Sequence, residues 1–240
     1  MILLLITGMQ TIVSRTGVWL IMILMHVCLT TSSGQLQVKD YDLDRDGSLE
    51  HIRLKFLEKG IYLSIQNQNA IICEKQIIRK RSKGNTRGGS NSNIVVLSPS
   101  AYHNPIIVVA FDDPEFIQKG ILCAFSYDPV KKLLTREKFY FGSDSEYFNS
   151  LISQKGLFHV EATGNLIACI SGTASFEDLQ DNVLSYYEVS QYRWSPRTKN
   201  FVLVETSLLE NDNGWYVSTD EPSGVIESAF RKKFFKIGNH

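Results

Sequence analysis

The chain has 240 residues, 43% of them hydrophobic and 11% aromatic, with 25 Lys and Arg against 25 Asp and Glu. That balance excludes both an acidic disordered segment and a basic nucleic-acid binder, and the length suffices for a substantial core. No collagen period, heptad repeat or low-complexity tract organises the sequence.

Residues 1–33 carry one charge, Arg15, followed by the apolar run Val18-Trp19-Leu20-Ile21-Met22-Ile23-Leu24-Met25 and the small polar stretch Thr30-Thr31-Ser32-Ser33. This is the order of a secretory signal peptide, and a start at Met9 gives one of ordinary length. The strongly apolar core, about a dozen residues, falls short of the roughly 20 that span a bilayer, so cleavage near Ser33 is expected and no stable membrane span after it. Cys28 follows Val27 and His26, a poor context for lipid anchoring. The expectation is a secreted or periplasmic protein with one β-rich domain over 34–240. Losing 1–33 removes one Arg and no acid, so the net charge becomes −1, which argues against capture by nucleic acid or anionic membrane.

The first chemistry-bearing stretch is Asp42-Leu43-Asp44-Arg45-Asp46-Gly47-Ser48-Leu49-Glu50. Carboxylates at positions 1, 3 and 5 converge when the chain curls, Gly47 permits the sharp turn, and Glu50 closes the shell. Such hard oxygen ligands suit Ca²⁺, with the Ser48 carbonyl and water filling remaining positions. A helix-loop-helix calcium site needs its bidentate acid at position 12, which here is Arg53, and the flanks 36–38 and 52–56 read as strands. The nine-residue Asp-x-Asp-x-Asp-Gly-x-x-acid pattern between strands resembles the calcium loops of FG-GAP/VCBS-type repeats of extracellular β-propeller and adhesion-type proteins, over residues 36–57. The resemblance implies ligand roles for Asp42, Asp44, Asp46 and Glu50. One such loop is present, where a complete propeller repeats the signature.

Beyond it, short β-rich runs alternate with turn residues. His51-Ile52-Arg53-Leu54-Lys55-Phe56 places Ile52, Leu54 and Phe56 on one face. Further strands are predicted at 61–65, 70–78, 94–97, 106–111, 121–127, 133–141, 157–161, 166–171, 184–194 and 201–208. Turns at 127–132, 162–165 and 195–200 are short, which makes their flanks antiparallel hairpins. The fold class expected is mainly β, an antiparallel meander forming a sandwich or a partial propeller-like array, with one or two short helices. The polar basic stretch 79–93 reads as a solvated loop. Two helices are predicted: one opened by the capping box Ser143-Asp144-Ser145-Glu146, carrying Tyr147, Phe148, Leu151 and Ile152 and stopping at Gly156; the other over 223–236, where Ile226, Phe230 and Phe234 recur every four residues. Asn211-Asp212-Asn213-Gly214 reads as a hairpin turn. The run Tyr192-Arg193-Trp194 with 201–205 is similar to a hairpin of secreted bacterial proteins that carry one such calcium loop, some related to lysozyme inhibitors.

Cys73, Cys123 and Cys169 sit in apolar runs and read as buried hydrophobes; their spacing does not select a disulfide pair. None of the common hydrolase, metalloprotease or nucleotide-binding motifs occurs. His103 and His159 flank apolar strands. Asp112-Asp113-Pro114-Glu115 reads as a helix-start turn, with an acid–base pair or second cation site as the alternative. The leading functional expectation is an extracytoplasmic binding protein with one structural Ca²⁺ and an extracellular protein or glycan as partner. Its competitors are an inhibitor of a lytic enzyme such as a lysozyme, and a surface-polymer hydrolase using acids near Asp112 or His103.

Overall fold

The computed structural model describes residues 37–68, 70–79, 92–98, 104–113, 116, 118–141 and 146–234. The segment 1–33 expected to be a signal, with Cys28, the residues 80–91 of the basic stretch, and His103, Pro114, Glu115, Ser143, Asp144 and Ser145 lie outside the described residues. Strands β1 (Gln37–Tyr41), β2 (Glu50–Leu57), β3 (Gly60–Asn67) and β4 (Ala70–Arg79) come first, then β5 (Ser92–Leu97), β6 (Ile106–Asp112), β7 (Gly120–Asp128) and β8 (Leu133–Arg136). Short pieces follow: β9 (Phe139–Tyr140), β10 (Tyr147–Phe148), β11 (Leu151–Ser153) and β12 (Phe158–Glu161). The long strands β13 (Leu166–Glu177), β14 (Val183–Ser195) and β15 (Asn200–Leu208) precede one helix, α1 (Ser223–Phe234).

They form three sheets, in the orders β1-β2-β3-β4, β11-β7-β6-β5 with β8 also on β7, and β10-β9-β15-β14-β13-β12. The molecule is thus mainly β and overwhelmingly antiparallel, as its short turns predict. One pair departs: β9 and β15 run parallel, Phe139 beside Phe201. Side-chain alternation then dictates the layers. Ile52, Leu54 and Phe56 of β2 are buried as expected, against Ile107, Val109 and Phe111 of β6 and Ile121, Cys123 and Phe125 of β7. The alternate residues Ile106, Val108, Leu122 and Ala124 point the other way, onto Phe139, Ile167, Tyr192, Trp194 and Phe201 of the third sheet. The outer face of that sheet is closed by Ile226, Ala229 and Phe230 of α1 on Ala168, Ile170, Tyr187 and Val189. The sheets pack as a sandwich whose middle layer is buried on both faces, which is why 106–111 and 121–125 are continuous apolar runs.

Over its described residues, 146–156, the helix expected at 143–156 is not found. Tyr147 and Phe148 pair with β9, Leu151 to Ser153 pair with β7, and Leu151 and Ser153 are buried while Ile152 is exposed, a period of two. Two sheet edges take up this segment, and their backbone pairing overrides a local pattern that also fits a helix. The turn after Asp112 is likewise no helix start among its described residues. It closes the β6–β7 hairpin, with the Asp113 N–H donating to the Lys119 carbonyl at 2.8 Å. The strand predicted over 133–141 divides because the chain changes sheets there: Glu137 N–H donates to Ala124 O, and Lys138 O accepts from Phe201 N. The second helix and the hairpin turn at Asn211 to Gly214 are found as expected. Cys73, Cys123 and Cys169 are free thiols, the last two buried. Among the described residues no helix is long and apolar enough to cross a membrane.

Candidate metal site

The loop between β1 and β2 leaves one strand at Tyr41 and re-enters the other at Glu50, which are themselves paired, so the chain must reverse within eight residues. Local hydrogen bonds make the curl. Asp42 Oδ2 accepts the Gly47 N–H at 3.1 Å, Asp44 Oδ1 that of Asp46 at 3.2 Å, and Asp46 Oδ1 that of Ser48 at 2.7 Å. Gly47 at φ +90° and Arg45 at φ +64° supply the left-handed turns, and glycine adopts that conformation without steric penalty. The flanks are strands on both sides, which excludes a helix-loop-helix geometry.

Leu43 is the residue that sequence reasoning passed over. Its side chain is buried in the first core, and its N–H donates to Glu50 Oε2 at 2.8 Å. An apolar residue between two aspartates carries that signal, since a purely solvated acidic turn has no use for it. Leu43 draws the loop inward, so that Asp42, Asp44 and Glu50 each bring one carboxylate oxygen within 4.8 Å of the others. Of the five residues expected to ligate, these three converge; Asp46 is engaged by the Ser48 N–H and stands outside the trio.

Electrostatically the cluster is unbalanced. Glu50 is 1% exposed, and its Oε1, like Asp42 Oδ1, is buried with no hydrogen-bond partner. Burial pushes the Glu50 carboxyl above its ordinary range, with the Leu43 N–H opposing and the charges of Asp44 and Asp46 adding to the rise. Asp46 moves the other way, held down by the Ser48 hydrogen bonds. Tyr127 of β7 registers the same negative charge across the core. Burial first, then Glu50, raises its hydroxyl to about 12. Unpaired buried carboxylate oxygens are costly, and a cation is the group that satisfies several at once. A span within 4.8 Å matches the width of an oxygen shell with Ca²⁺–O distances of about 2.3–2.6 Å.

A second place gathers polar groups. A cleft of about 660 Å³ between β5, β6, β12 and α1 is lined by Asp112, Lys155, His159, Glu227 and Arg231. His159 stacks on Phe234 with ring centroids 5.6 Å apart, and burial lowers its pKa against the opposing pull of Glu161. Asp112 and His159, which sequence reasoning kept apart as separate candidates, therefore line one cleft.

Comparison with known protein families, with curated proteins and with solved structures finds no significant match.

Proposed function

We propose that this is an exported β-rich binding protein whose first hairpin is clamped by a structural Ca²⁺ ion. The observation that carries the reading is Glu50: a buried carboxylate with one oxygen held by the Leu43 N–H and the other without a partner, facing Asp42 and Asp44. In this reading Asp42, Asp44 and Glu50 provide the anionic ligands, and Asp46 and the Ser48 carbonyl are the further oxygens within the loop. The ion supplies positive charge that cancels their repulsion and fixes the β1–β2 junction; extracellular Ca²⁺ at millimolar level populates even a weak site. Export is supported by the signal-like order of residues 1–33. Binding is supported by large apolar side chains standing outside well-packed strands, among them Leu179, Val183 and Trp215.

Thermal unfolding in Ca²⁺, Mg²⁺ and chelator tests it, with Asp44→Ala and Asp46→Ala alongside. A midpoint raised by Ca²⁺ in the wild type and lost in Asp44→Ala supports the clamp. No shift under any condition sinks it.

A further inference from the structure

The β13–β14 hairpin runs past the rest of its sheet. β12 pairs only with residues 166–169 of β13 and β15 reaches only Glu188 of β14, yet the two long strands continue together to Glu177 and Val183. On the β14 side residues 216–219 lie alongside: Tyr187 N–H donates to Val217 O and Thr219 N–H to Ser185 O. On the β13 side, residues 172–177 have no described strand as neighbour. This edge, Gly172-Thr173-Ala174-Ser175-Phe176-Glu177, holds no Pro or Lys and one charge, at its far end. Folded proteins ordinarily blunt such an edge, because its free N–H and C=O groups are a template for another strand.

Alternation puts Phe176, Leu184 and Tyr186 on the face that, nearer the core, carries Tyr192 and Trp194. Here no described strand or helix covers that face. Phe176 is 49% exposed, its ring 6.1 Å from that of Tyr186, which lies 5.6 Å from the half-exposed Tyr216. The tip is closed by hydrogen bonds: Asp178 Oδ1 accepts the N–H groups of Gln180 and Asn182, Oδ2 accepts the Asn182 side-chain amide, and Leu179 between them is fully exposed. Charge is one-sided. Residues 172–188 hold Glu177, Asp178, Asp181 and Glu188, residues 204–222 hold five more acids, and neither segment has a Lys, Arg or His. The cations seen nearby are Lys155, 5.5 Å from the Tyr187 ring on the opposite face, Lys232, paired with Asp212, and Lys233, which donates to Ser207 Oγ at 2.8 Å.

We propose that the outer edge of β13, residues 172–177, with the Phe176–Tyr186–Tyr216 face beside it, docks a cationic extended segment of another protein, which adds as a further strand. Backbone pairing supplies affinity, the aromatic face receives alternate apolar side chains, and the acids select Lys and Arg. A second copy of this chain is disfavoured, since its own edge 172–177 brings no Lys or Arg to meet the acids of residues 172–188. The inference gives the binding reading its partner chemistry and is independent of the calcium reading.

Panning a phage-displayed random peptide library on the full chain, in Ca²⁺ and in chelator, tests it. Enriched peptides should place Lys or Arg between apolar residues, lose at least tenfold in affinity for Phe176→Ser and Glu177→Lys, weaken with added salt, and protect the amides of 172–177 from hydrogen exchange. Circular dichroism of both variants, each changed at an exposed position, checks that they remain folded. Peptides without positive charge, binding unmoved by either variant, protection elsewhere, or no enrichment overturns the proposal; so does a wild-type dimer that the same variants dissolve. Success in chelator alongside an absent Ca²⁺ response would reject the clamp alone, and the reverse would reject the docking edge alone.

Discussion

Glu50 and Leu43 clasp each other across the acidic loop, the leucine N–H on one carboxylate oxygen at 2.8 Å and the leucine side chain in the core beneath. The clasp commits a carboxylate to a buried position, and the fold bears the cost of that desolvation.

A sign reversal follows for Glu50→Gln. In chelator the variant should equal or exceed the wild type in stability, because a like-charge contact with Asp42 and Asp44 is relieved. In saturating Ca²⁺ it should fall below, since an ion at a hundred times its dissociation constant contributes about 2.7 kcal/mol, about 5–10 °C for a chain of this size. Melting curves under both conditions decide, and a variant that ranks the same way in each refutes a Glu50-bound ion.

His159 should make the protein acid-sensitive. Its folded pKa lies below the ordinary 6.5, so between those values the unfolded chain binds a proton that the folded one does not, and stability is lost as pH falls below about 6.5. His159→Gln removes that contribution. Its melting midpoint should decline less than the wild type's between neutral and mildly acid pH, by a degree or two on the scale of about 2–4 °C per kcal/mol. Parallel declines would show that the Phe234-stacked ring does not titrate against folding.

The thiols should separate by depth. Burial raises Cys123 to about 11, opposed by Arg136, and Cys169 to about 12, whereas Cys73 is half-buried. Brief alkylation at slightly alkaline pH, mapped by mass spectrometry, should label Cys73 first and the other two only on unfolding. Equal labelling of Cys123 or Cys169 in the folded protein would contradict the packing described.

Phe139 is the hinge of the parallel junction, stacked on Phe201 at 5.1 Å and edge-on to Tyr192 at 5.8 Å. Phe139→Ala should cost about 3–5 kcal/mol. Denaturant titration measures it, and a loss under 1 kcal/mol would mean that β9 is peripheral to the third sheet.

Strand positions were legible where alternation was strict, as at Ile52, Leu54 and Phe56, because one buried face leaves a period of two in the sequence. The segment around Tyr147 misled because apolar residues at Tyr147, Phe148, Leu151 and Ile152 suit a helix as well as two short strands parted by Asn149 and Ser150; the choice is made by β9 and β7, distant partners that no local window contains. The Phe139–Phe201 parallel pairing was invisible for the same reason. At the acidic loop, the convergence of Asp42, Asp44 and Glu50 was readable from spacing; the apolar Leu43 between two aspartates signalled burial, but the core that receives it, assembled from β2, β3, β6 and β7, lies outside the local sequence. The overhang of β13 past Ser171 was missed because Gly172 to Glu177 is too polar to announce a buried strand.

The doubly buried middle layer leaves β6 and β7 without a polar face, and this removes the safeguard that ordinarily penalises a strand sliding by one residue. Oil-to-oil slippage would exchange one apolar surface for another at little loss. A backbone hydrogen bond and a close glycine contact at the ends have to hold the alignment instead. Tyr127 N–H reaches Pro105 O at one end, and Gly120 sits so close to Gly156 that a Cβ would meet its Cα at 2.8 Å at the other. Between them Arg136 donates to the Cys123 sulfur, to Ile77 O of the first sheet and to Asn149 O. A single guanidinium thus acts as a proofreader for the core: only the correctly aligned β7 presents Cys123 where all three of its bonds close together.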